Sequence, residues 1–245
     1  MKFVIPAAGA AQRFKEQGFN DPKPLITVKD KPLIKWASDS LNFIKPKDLV
    51  FLVSEGHIAE FQIDRRLKDL YSDEITIVPV KKLTEGAACT VLLAEQWINN
   101  DEPLFIMNCD LTFQAPVEKA MRDLEKENAD AFLITFESDS PRFSFAKVNE
   151  KTGLVTEVAE KKPISNLATV GCYFFRRGSD FVAGTKEMIR KNLRVNNEFY
   201  VVPVYNELIA KGLKVRAIPC DWVVNLGTPD EVEAFVSGQA GPKSL

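Results

Sequence analysis

The chain has 245 residues, of which 45% are hydrophobic and 27% are charged. These proportions are those of ordinary globular proteins, and they exclude disordered, collagen-like and coiled-coil classes. Lysine and arginine number 32 against 34 aspartates and glutamates, and the net charge of −2 argues against binding to nucleic acid or to an anionic membrane.

Short apolar runs alternate with helical patterns over residues 1–136. The runs are typical of buried parallel strands and lie at Phe3–Ile5, Leu49–Val53, Ile75–Val80, Leu104–Met107 and Ala131–Phe136. The intervening patterns predict helices between Pro32 and Pro46, over Glu55–Leu70, over Thr90–Ile98 and over Val117–Leu124. This alternation predicts a parallel sheet that carries helices on both faces.

The pattern changes after residue 140. A glycine-containing loop, Asn149–Gly153, separates two short strands and predicts a hairpin. Further on we predict a strand at Val170–Phe175, helices near 179–191 and 201–211, a strand at Lys214–Ile218 and a helix at Pro229–Val236. The sequence thus predicts one α/β domain over residues 1–238, a Rossmann-like open mixed sheet with antiparallel elements in its second half, and a frayed tail at 239–245.

The cysteines and the start of the chain favour a cytoplasmic protein. The four cysteines are scattered without a C-x-x-C pair and are interpreted as free thiols: Cys89, Cys109, Cys172 and Cys220. The first apolar run ends at Pro6, which is too short for a signal peptide, and no run approaches the roughly 18–20 residues of a membrane span. The single histidine, His57, excludes metal sites built from several histidines.

A loop of small residues follows the first strand and gives the first chemical signal. Its sequence is Pro6-Ala7-Ala8-Gly9-Ala10-Ala11, followed by Gln12-Arg13-Phe14. Small side chains leave backbone N–H groups open to a phosphate or a nucleotide edge, and Arg13 adds a forked donor. Lys23 stands between two prolines on a stiff turn. The alternative is a plain strand–turn–helix connection with basic residues on its surface.

This loop, together with Lys23-Pro24-Leu25, resembles the signature of the sugar-phosphate nucleotidyltransferases, the family of nucleoside-diphosphate-sugar pyrophosphorylases. The family pattern is roughly G-G-x-G-T-R followed by K-P-L, from which Ala8, Ala11 and Gln12 depart. Because alanine disfavours a positive φ, we expect the loop to differ locally in shape. The resemblance implies a GT-A-like fold, a triphosphate held by Arg13 and Lys23, and nucleotide contacts from Ala7, Ala8, Gly9 and Ala10.

Two further segments resemble the family's base-binding and metal-binding segments. Thr84–Ala88 is similar to the Q-G-T-A segment, which implies that Glu85 and Gly86 line the nucleobase; the alternative is a helix start with small packing residues. Asp110 follows an apolar strand where the family has a magnesium-binding aspartate; the alternative is a cap or turn residue. The resemblance also implies that Asn108 contacts the nucleotide. Asn225 falls on the second metal aspartate, although its amide is a neutral ligand. Whether Asp221 compensates stays open.

The acceptor side rests on three segments. Glu160-Lys161-Lys162-Pro163 resembles the family's E-K-P, so either Lys161 or Lys162 is expected to neutralise the acceptor phosphate; the alternative is a solvated turn. The strand that contains Gly171 resembles one that contacts the acceptor. Glu198 resembles an acid directed toward the acceptor, and its alternative role is that of an acid at a helix N-terminus.

The resemblance implies transfer of a nucleotidyl group from CTP, dTTP or UTP to a sugar 1-phosphate or another phosphorylated small molecule. Pyrophosphate is released, Mg²⁺ is the expected cofactor and no general base is needed. A glycosyltransferase of the GT-A type is disfavoured because no D-x-D motif is found. A catalytically weak, regulatory nucleotide binder is the other alternative, motivated by Asn225 and the alanine-rich loop. Synthesis of capsule or envelope polysaccharide is the expected context, and a homo-oligomer stays open.

Overall fold

The computed structural model describes residues 1–242, which form a mixed α/β fold. The strands are β1 Lys2–Ala7, β2 Thr27–Val28, β3 Lys31–Pro32, β4 Leu49–Ser54, β5 Thr76–Val80, β6 Leu104–Met107, β7 Leu111–Gln114, β8 Ala131–Glu137, β9 Ser144–Val148, β10 Val155–Glu160, β11 Leu167–Phe175, β12 Val215–Pro219 and β13 Trp222–Asn225. The helices are α1 Gln12–Glu16, α2 Leu33–Asp39, α3 Glu55–Phe61, α4 Ile63–Leu70, α5 Ala87–Leu92, α6 Glu95–Ile98, α7 Val117–Lys126, α8 Gly178–Arg190, α9 Val204–Ala210 and α10 Pro229–Val236. Short 3-10 helices lie at Lys23–Leu25 and Pro46–Asp48.

The described chain divides into two compact units. The N-terminal unit comprises Phe3–Leu83, Met107–Gln114 and the chain from Asp221, and the middle unit comprises Met1–Lys2, Thr84–Ile106 and Ala115–Cys220. The predicted single domain over 1–238 stays a prediction, and residues 243–245 of the predicted tail lie outside the described residues.

The N-terminal unit contains the parallel strands β1, β4 and β5, in that order. A separate antiparallel pair joins β7 to β13, and a second short pair joins β2 to β3. One cluster of its core packs Phe14, Trp36, Leu226 and Phe235 together, with the rings of Trp36 and Phe235 edge to face at 5.0 Å. Thr228 and Glu231 form a capping box with Pro229 in the first turn, which explains why α10 begins where the sequence predicts.

The middle unit holds the antiparallel strands. Strands β10, β9, β11 and β6 are neighbours in that order, while β8 pairs antiparallel with β11 and parallel with β12. The predicted hairpin is confirmed: the side-chain oxygen of Asn149 accepts from the amides of Lys151 and Thr152, and Gly153 has φ +68°. Tyr205 is fully buried, and its hydroxyl donates to the carbonyls of Phe132 and Phe174 at 3.1 and 3.2 Å.

Three predicted helices differ from the structure. The helix predicted over Thr90–Ile98 is divided into α5 and α6 by a turn at residues 93–94. The single helix predicted over Glu55–Leu70 is wrong, because Gln62 adopts a left-handed conformation at φ 51° and separates α3 from α4. The helix predicted between Pro32 and Pro46 stops at Asp39. There the hydroxyl of Ser40 donates to the carbonyl of Trp36 and accepts from the amide of Phe113, which ties the chain to β7 instead of extending the helix.

Candidate active site

The loop after β1 has the open backbone that its sequence predicts. Gly9 and Ala10 are exposed, and a Cβ atom added to Gly9 would meet nothing within 4 Å. Ala11 adopts a left-handed conformation, φ 53° and ψ 38°, directly before α1. Alanine therefore accepts here the backbone conformation that glycine adopts freely, at a cost in strain. Ala7 is buried at the end of β1, and Ala8 is half-buried.

Lys23 and Asp110 meet in the N-terminal unit although they lie 87 residues apart in sequence. The Lys23 ammonium donates to Asp110 Oδ2 at 2.5 Å and to the carbonyl of Gly227 at 3.1 Å, and it lies 5.5 Å from the centroid of the Phe14 ring. The two charged side chains are only 20% and 24% exposed. Such a partly desolvated pair is stronger than a surface ion pair, and it fixes the lysine in one direction.

The Lys23 side chain stays charged in this setting. Burial alone would lower the pKa of Lys23, but the carboxylates of Asp110 and Glu231 act in the opposite direction and leave that pKa above its ordinary value. The Cys109 thiol is buried, and desolvation raises its pKa to about 12, so that it is a neutral packing group. The site therefore presents a fixed cation beside a carboxylate.

Gly227 shows why glycine occupies the loop after β13. A Cβ atom added there would lie 3.1 Å from Asp110 Oδ2 and 3.3 Å from Glu231 Oε2. The same Glu231 oxygen accepts the amides of Gly227 and Thr228. The loop is thus held against the Lys23–Asp110 pair by its backbone, and a side chain at this position would crowd both carboxylates.

The β7–β13 ladder places Asn225, and not Asp221, next to Asp110. Asn225 pairs with Leu111, the residue after Asp110, and the Leu226 amide donates to the Asp110 carbonyl at 2.8 Å. The Asp221 amide bonds instead to Gln114 at the other end of the ladder, four residues or about 13 Å along the strand. Asp221 is therefore badly placed to compensate. In residues 1–242, no group of three or more His, Cys, Asp or Glu side chains is arranged to hold a metal ion.

Two other predicted nucleotide residues are exposed in the N-terminal unit. Arg13 lies on α1 next to the buried Phe14, with its guanidinium exposed and without a side-chain partner in the described part of the chain. Asn108 is exposed in the short link between β6 and β7. Both side chains are available to a ligand.

In the middle unit, the segment that contains Glu85 and Gly86 is fixed against Phe199. The Phe199 amide donates to the Glu85 carbonyl at 2.7 Å, and the Ala88 amide donates to the Phe199 carbonyl at 3.0 Å. Gly86 has φ +127°, and an added Cβ atom would lie 2.5 Å from the Phe199 carbonyl oxygen, so only glycine fits. The Glu85 carboxylate forms an ion pair with Arg194, a partner that sequence reasoning missed.

Of the two candidate lysines, Lys161 is the one held in a cluster. Its ammonium donates to the Tyr200 hydroxyl at 2.5 Å and lies 4.5 Å from the centroid of the Tyr200 ring. Lys162 is exposed and has no side-chain partner within residues 1–242. Glu160 precedes this lysine, is half-buried and accepts a hydrogen bond from Ser144. Sequence reasoning missed Glu160 and Tyr200 as site residues, although Glu160 adjoins Lys161 and Tyr200 lies two residues after Glu198.

Gly171 and Glu198 complete the middle-unit set. Gly171 is buried at φ +57°, within the stretch between Thr169 and Tyr173 where the β11–β8 register shifts, so a β-bulge accounts for the glycine. Glu198 is exposed and lies in a tight turn, where it pairs with Val195 across Asn196 and Asn197. Because α9 begins only at Val204, the alternative of a helix N-terminal acid is wrong for Glu198.

A family model described as Nucleotidyl transferase matches residues 2–199. The chain belongs to the nucleotidyl transferase family. The match confirms the predicted enzyme class. It also confirms the family that the loop after β1, Lys23 and Asp110 resemble.

Curated relatives agree with this membership. This nucleotidyl transferase is 27% identical over 241 residues to UTP–glucose-1-phosphate uridylyltransferase AglF of Haloferax volcanii, covering 94% of this chain and 93% of that protein. It is 24% identical over 201 residues to glucose-1-phosphate thymidylyltransferase of Neisseria meningitidis, covering 80% and 69%. The bifunctional protein GlmU of Buchnera aphidicola is longer, and the match spans 49% of its length at 23% identity.

Solved structures confirm the predicted mixed α/β nucleotidyltransferase fold with flanking helices. The nucleoside-diphosphate-sugar pyrophosphorylase from Vibrio cholerae RC9 matches with a TM-score of 0.80 at 26% identity, over 96% of this chain and 99% of that chain. The inositol-1-phosphate CTP transferase from T. maritima has a TM-score of 0.71 at 16% identity, over 98% of both chains, and shows the likeness in fold. No helix in residues 1–242 is long and apolar enough to cross a membrane.

Proposed function

We propose that this nucleotidyl transferase moves a nucleoside monophosphate from UTP, dTTP or CTP to the phosphate of a sugar 1-phosphate and releases pyrophosphate. The observation that carries the proposal is the Lys23–Asp110–Gly227 contact, which fixes a charged lysine in the same unit as the open, small-residue loop after β1. The relatives from Haloferax volcanii and Neisseria meningitidis, whose names specify UTP and thymidylyl transfer to glucose 1-phosphate, support this choice of substrates.

The chemistry requires charge neutralisation more than proton transfer. An oxygen of the acceptor phosphate attacks the α-phosphorus, the bond between the α-phosphorus and its bridging oxygen breaks, and pyrophosphate leaves with the electron pair. A phosphate monoester with a second pKa of about 6 is already largely dianionic at neutral pH, so no general base is needed. The residues must therefore hold two polyanions and stabilise the charge on the leaving group.

The charged residues divide this work. Lys23 would neutralise the triphosphate, and Arg13 would bind its oxygens with a forked donor. The backbone of Ala7–Ala10 would contact the nucleotide, as would Asn108, while Glu85 and Gly86 would contact the base. On the acceptor side, Lys161 would bind the phosphate, with Lys162, Gly171 and Glu198 as the remaining candidates.

Asp110 and Asn225 fit a magnesium ion that arrives with the nucleotide. They provide one carboxylate and one amide oxygen at the same end of the β7–β13 ladder. Mg²⁺ commonly takes one or two protein carboxylates and completes its shell with waters and substrate phosphates, so this small donor set suffices. When bound, the ion would act as a Lewis acid on the phosphate oxygens. Asp110 would then share its oxygens between this ion and Lys23.

The direct test is a matrix of four NTPs against candidate phosphates, with pyrophosphate release as the readout and EDTA as the metal-removal control. We expect turnover with at least one pyrimidine nucleotide, its loss in EDTA and its recovery with Mg²⁺. If the protein binds nucleotide but none of the NTP–phosphate pairs turns over, the regulatory alternative is favoured and the proposal is refuted.

Two matched variants test the metal role. Asp110→Asn should lower kcat by about 10²–10³-fold with the fold intact, the usual loss for a preorganised charge stabiliser. Asp221→Asn is the control, since it makes the same acid-to-amide change at the far end of the ladder and should leave turnover near normal. Equal activity of the two variants would contradict the role given to Asp110.

A further inference from the structure

Lys161 is held in an unusual way for a flexible side chain. It follows β10 in a left-handed conformation, φ 54°, and its amide donates to the Phe143 carbonyl at 3.0 Å. Its ammonium then donates to the Tyr200 hydroxyl, and its nitrogen lies 4.5 Å from the centroid of the same ring. Backbone and ammonium are therefore both fixed, and Tyr200 is the residue that fixes the ammonium.

Tyr200 is itself held in place by its neighbour. Phe199 is 1% exposed, and both its amide and its carbonyl are bonded to the segment that contains Glu85, Gly86 and Ala88. The Arg194 guanidinium lies 4.0 Å from the centroid of the Phe199 ring. The backbone position from which Tyr200 extends is thus set by the predicted base-binding segment of the same unit.

Acidic neighbours make this restraint consequential. Burial alone would lower the pKa of Lys161, but its bond to Tyr200 and the charges of Glu160 and Glu198 raise that pKa above its ordinary value. Despite this attraction, Lys161 forms no ion pair with either carboxylate within the described residues, and Glu160 accepts instead from Ser144. A lysine released from Tyr200 would be free to form an ion pair with one of these carboxylates. Its positive charge would then be less available to an anionic ligand.

We propose that Tyr200 is a positioning residue for Lys161, holding its ammonium away from Glu160 and Glu198 so that it meets the acceptor phosphate. The inference rests on the proposed function, which gives Lys161 its phosphate. The Tyr200 hydroxyl accepts a hydrogen bond from the ammonium. Nothing in the reaction requires Tyr200 to exchange a proton.

The test is Tyr200→Phe, which keeps the ring and removes only the hydroxyl. We expect the KM for the sugar 1-phosphate to rise on the order of tenfold, the usual consequence of losing a hydrogen bond to a charged group. The KM for the NTP should stay within about twofold, because the backbone bonds of Phe199 to Glu85 and Ala88 do not involve the Tyr200 hydroxyl. Tyr71→Phe is the matched control: it removes a hydroxyl bonded to Ser38 and Ile34 in the other unit and should leave the acceptor KM unchanged.

A double-mutant cycle with Lys161→Gln separates this inference from the proposed function. If Lys161→Gln leaves the acceptor KM unchanged, the role of Lys161 in the proposed function fails, and the positioning role fails with it. If Lys161→Gln raises that KM but Tyr200→Phe does not, the positioning role alone is overturned. It is also overturned if the two effects multiply in the double variant. The expected result is that Tyr200→Phe adds nothing once Lys161 is gone.

Discussion

The substitution Ala11→Gly tests whether the backbone of the loop after β1 is strained. Ala11 stands at φ 53° and ψ 38°, where a side chain is strained, and Ala10 beside it is exposed with no positive φ. Ala10→Gly makes the same chemical change one residue earlier, where nothing is strained. The difference between the two variants therefore isolates the backbone strain at Ala11.

The magnitude follows from three contributions. The left-handed conformation costs a residue with a side chain roughly 1–2 kcal/mol. The added freedom of glycine in the unfolded chain costs both variants the same, about 0.4–1 kcal/mol, and cancels in the comparison. Ala11 is half-buried against the cluster that contains Phe14, so the loss of its methyl group costs about 0.4 kcal/mol, half the value for a fully buried carbon. Ala11→Gly should thus be about 1 kcal/mol more stable than Ala10→Gly.

Urea denaturation monitored by tryptophan fluorescence measures this difference directly. For a chain of this size, 1 kcal/mol also corresponds to roughly 2–4 °C in Tm, which calorimetry resolves. If Ala11→Gly is as destabilised as Ala10→Gly, then Ala11 carries no strain and the reasoning from its φ angle is refuted.

Two further predictions concern charge. Lys23→Met leaves Asp110 without its cation and should lower the free energy of unfolding by about 1–3 kcal/mol at pH 7, as measured by urea denaturation. The control is Lys82→Met at an exposed position, which should stay within about 0.5 kcal/mol of wild type. Because the pKa of Lys23 is raised, its contribution is present below 10.5 and is lost as the pH rises through the folded value, so the gap to wild type should narrow in that range. Burial raises the pKa of Glu160 above 4.5 in the folded protein. The protonated Glu160 therefore contributes its full stability below pH 4.5, and this contribution is lost as the pH rises through the pKa of the folded state. Glu160→Gln should therefore be more stable than wild type at pH 7 and similar to it below 4.5, and equal stability at both pH values would contradict the assignment.

Much of the fold could be predicted from local patterns because its buried strands are short continuous apolar runs. Leu104–Met107 and α10, Pro229–Val236, were both predicted with the bounds that the structure has. The short strand β7 was missed, because its partner β13 lies more than a hundred residues away and no local signal reveals such a pairing. The break at Gln62 was missed because glutamine carries no sequence signal for a left-handed conformation.

The candidate site, like the fold, could be predicted from the sequence only in part. Lys23 and Asp110 were selected by their resemblance to a family signature, and their 2.5 Å contact depends on tertiary structure that no spacing rule predicts. Sequence reasoning could not choose between Lys161 and Lys162, since the choice depends on which ammonium reaches Tyr200 across 39 residues of sequence. Arg194 was missed because its ion pair with Glu85 joins segments that look unrelated in the sequence.

The hydrogen bond between Lys23 and the Gly227 carbonyl affects when the site can form during translation. Lys23 has two acceptors, and one of them belongs to a loop beyond residue 199, where the family match stops. During translation Lys23 and Asp110 emerge well before Gly227, so a nascent chain can form only part of this cluster. The lysine acquires its final geometry only when the loop between β13 and α10 has left the ribosome, and a protein shortened to the matched region would never complete it.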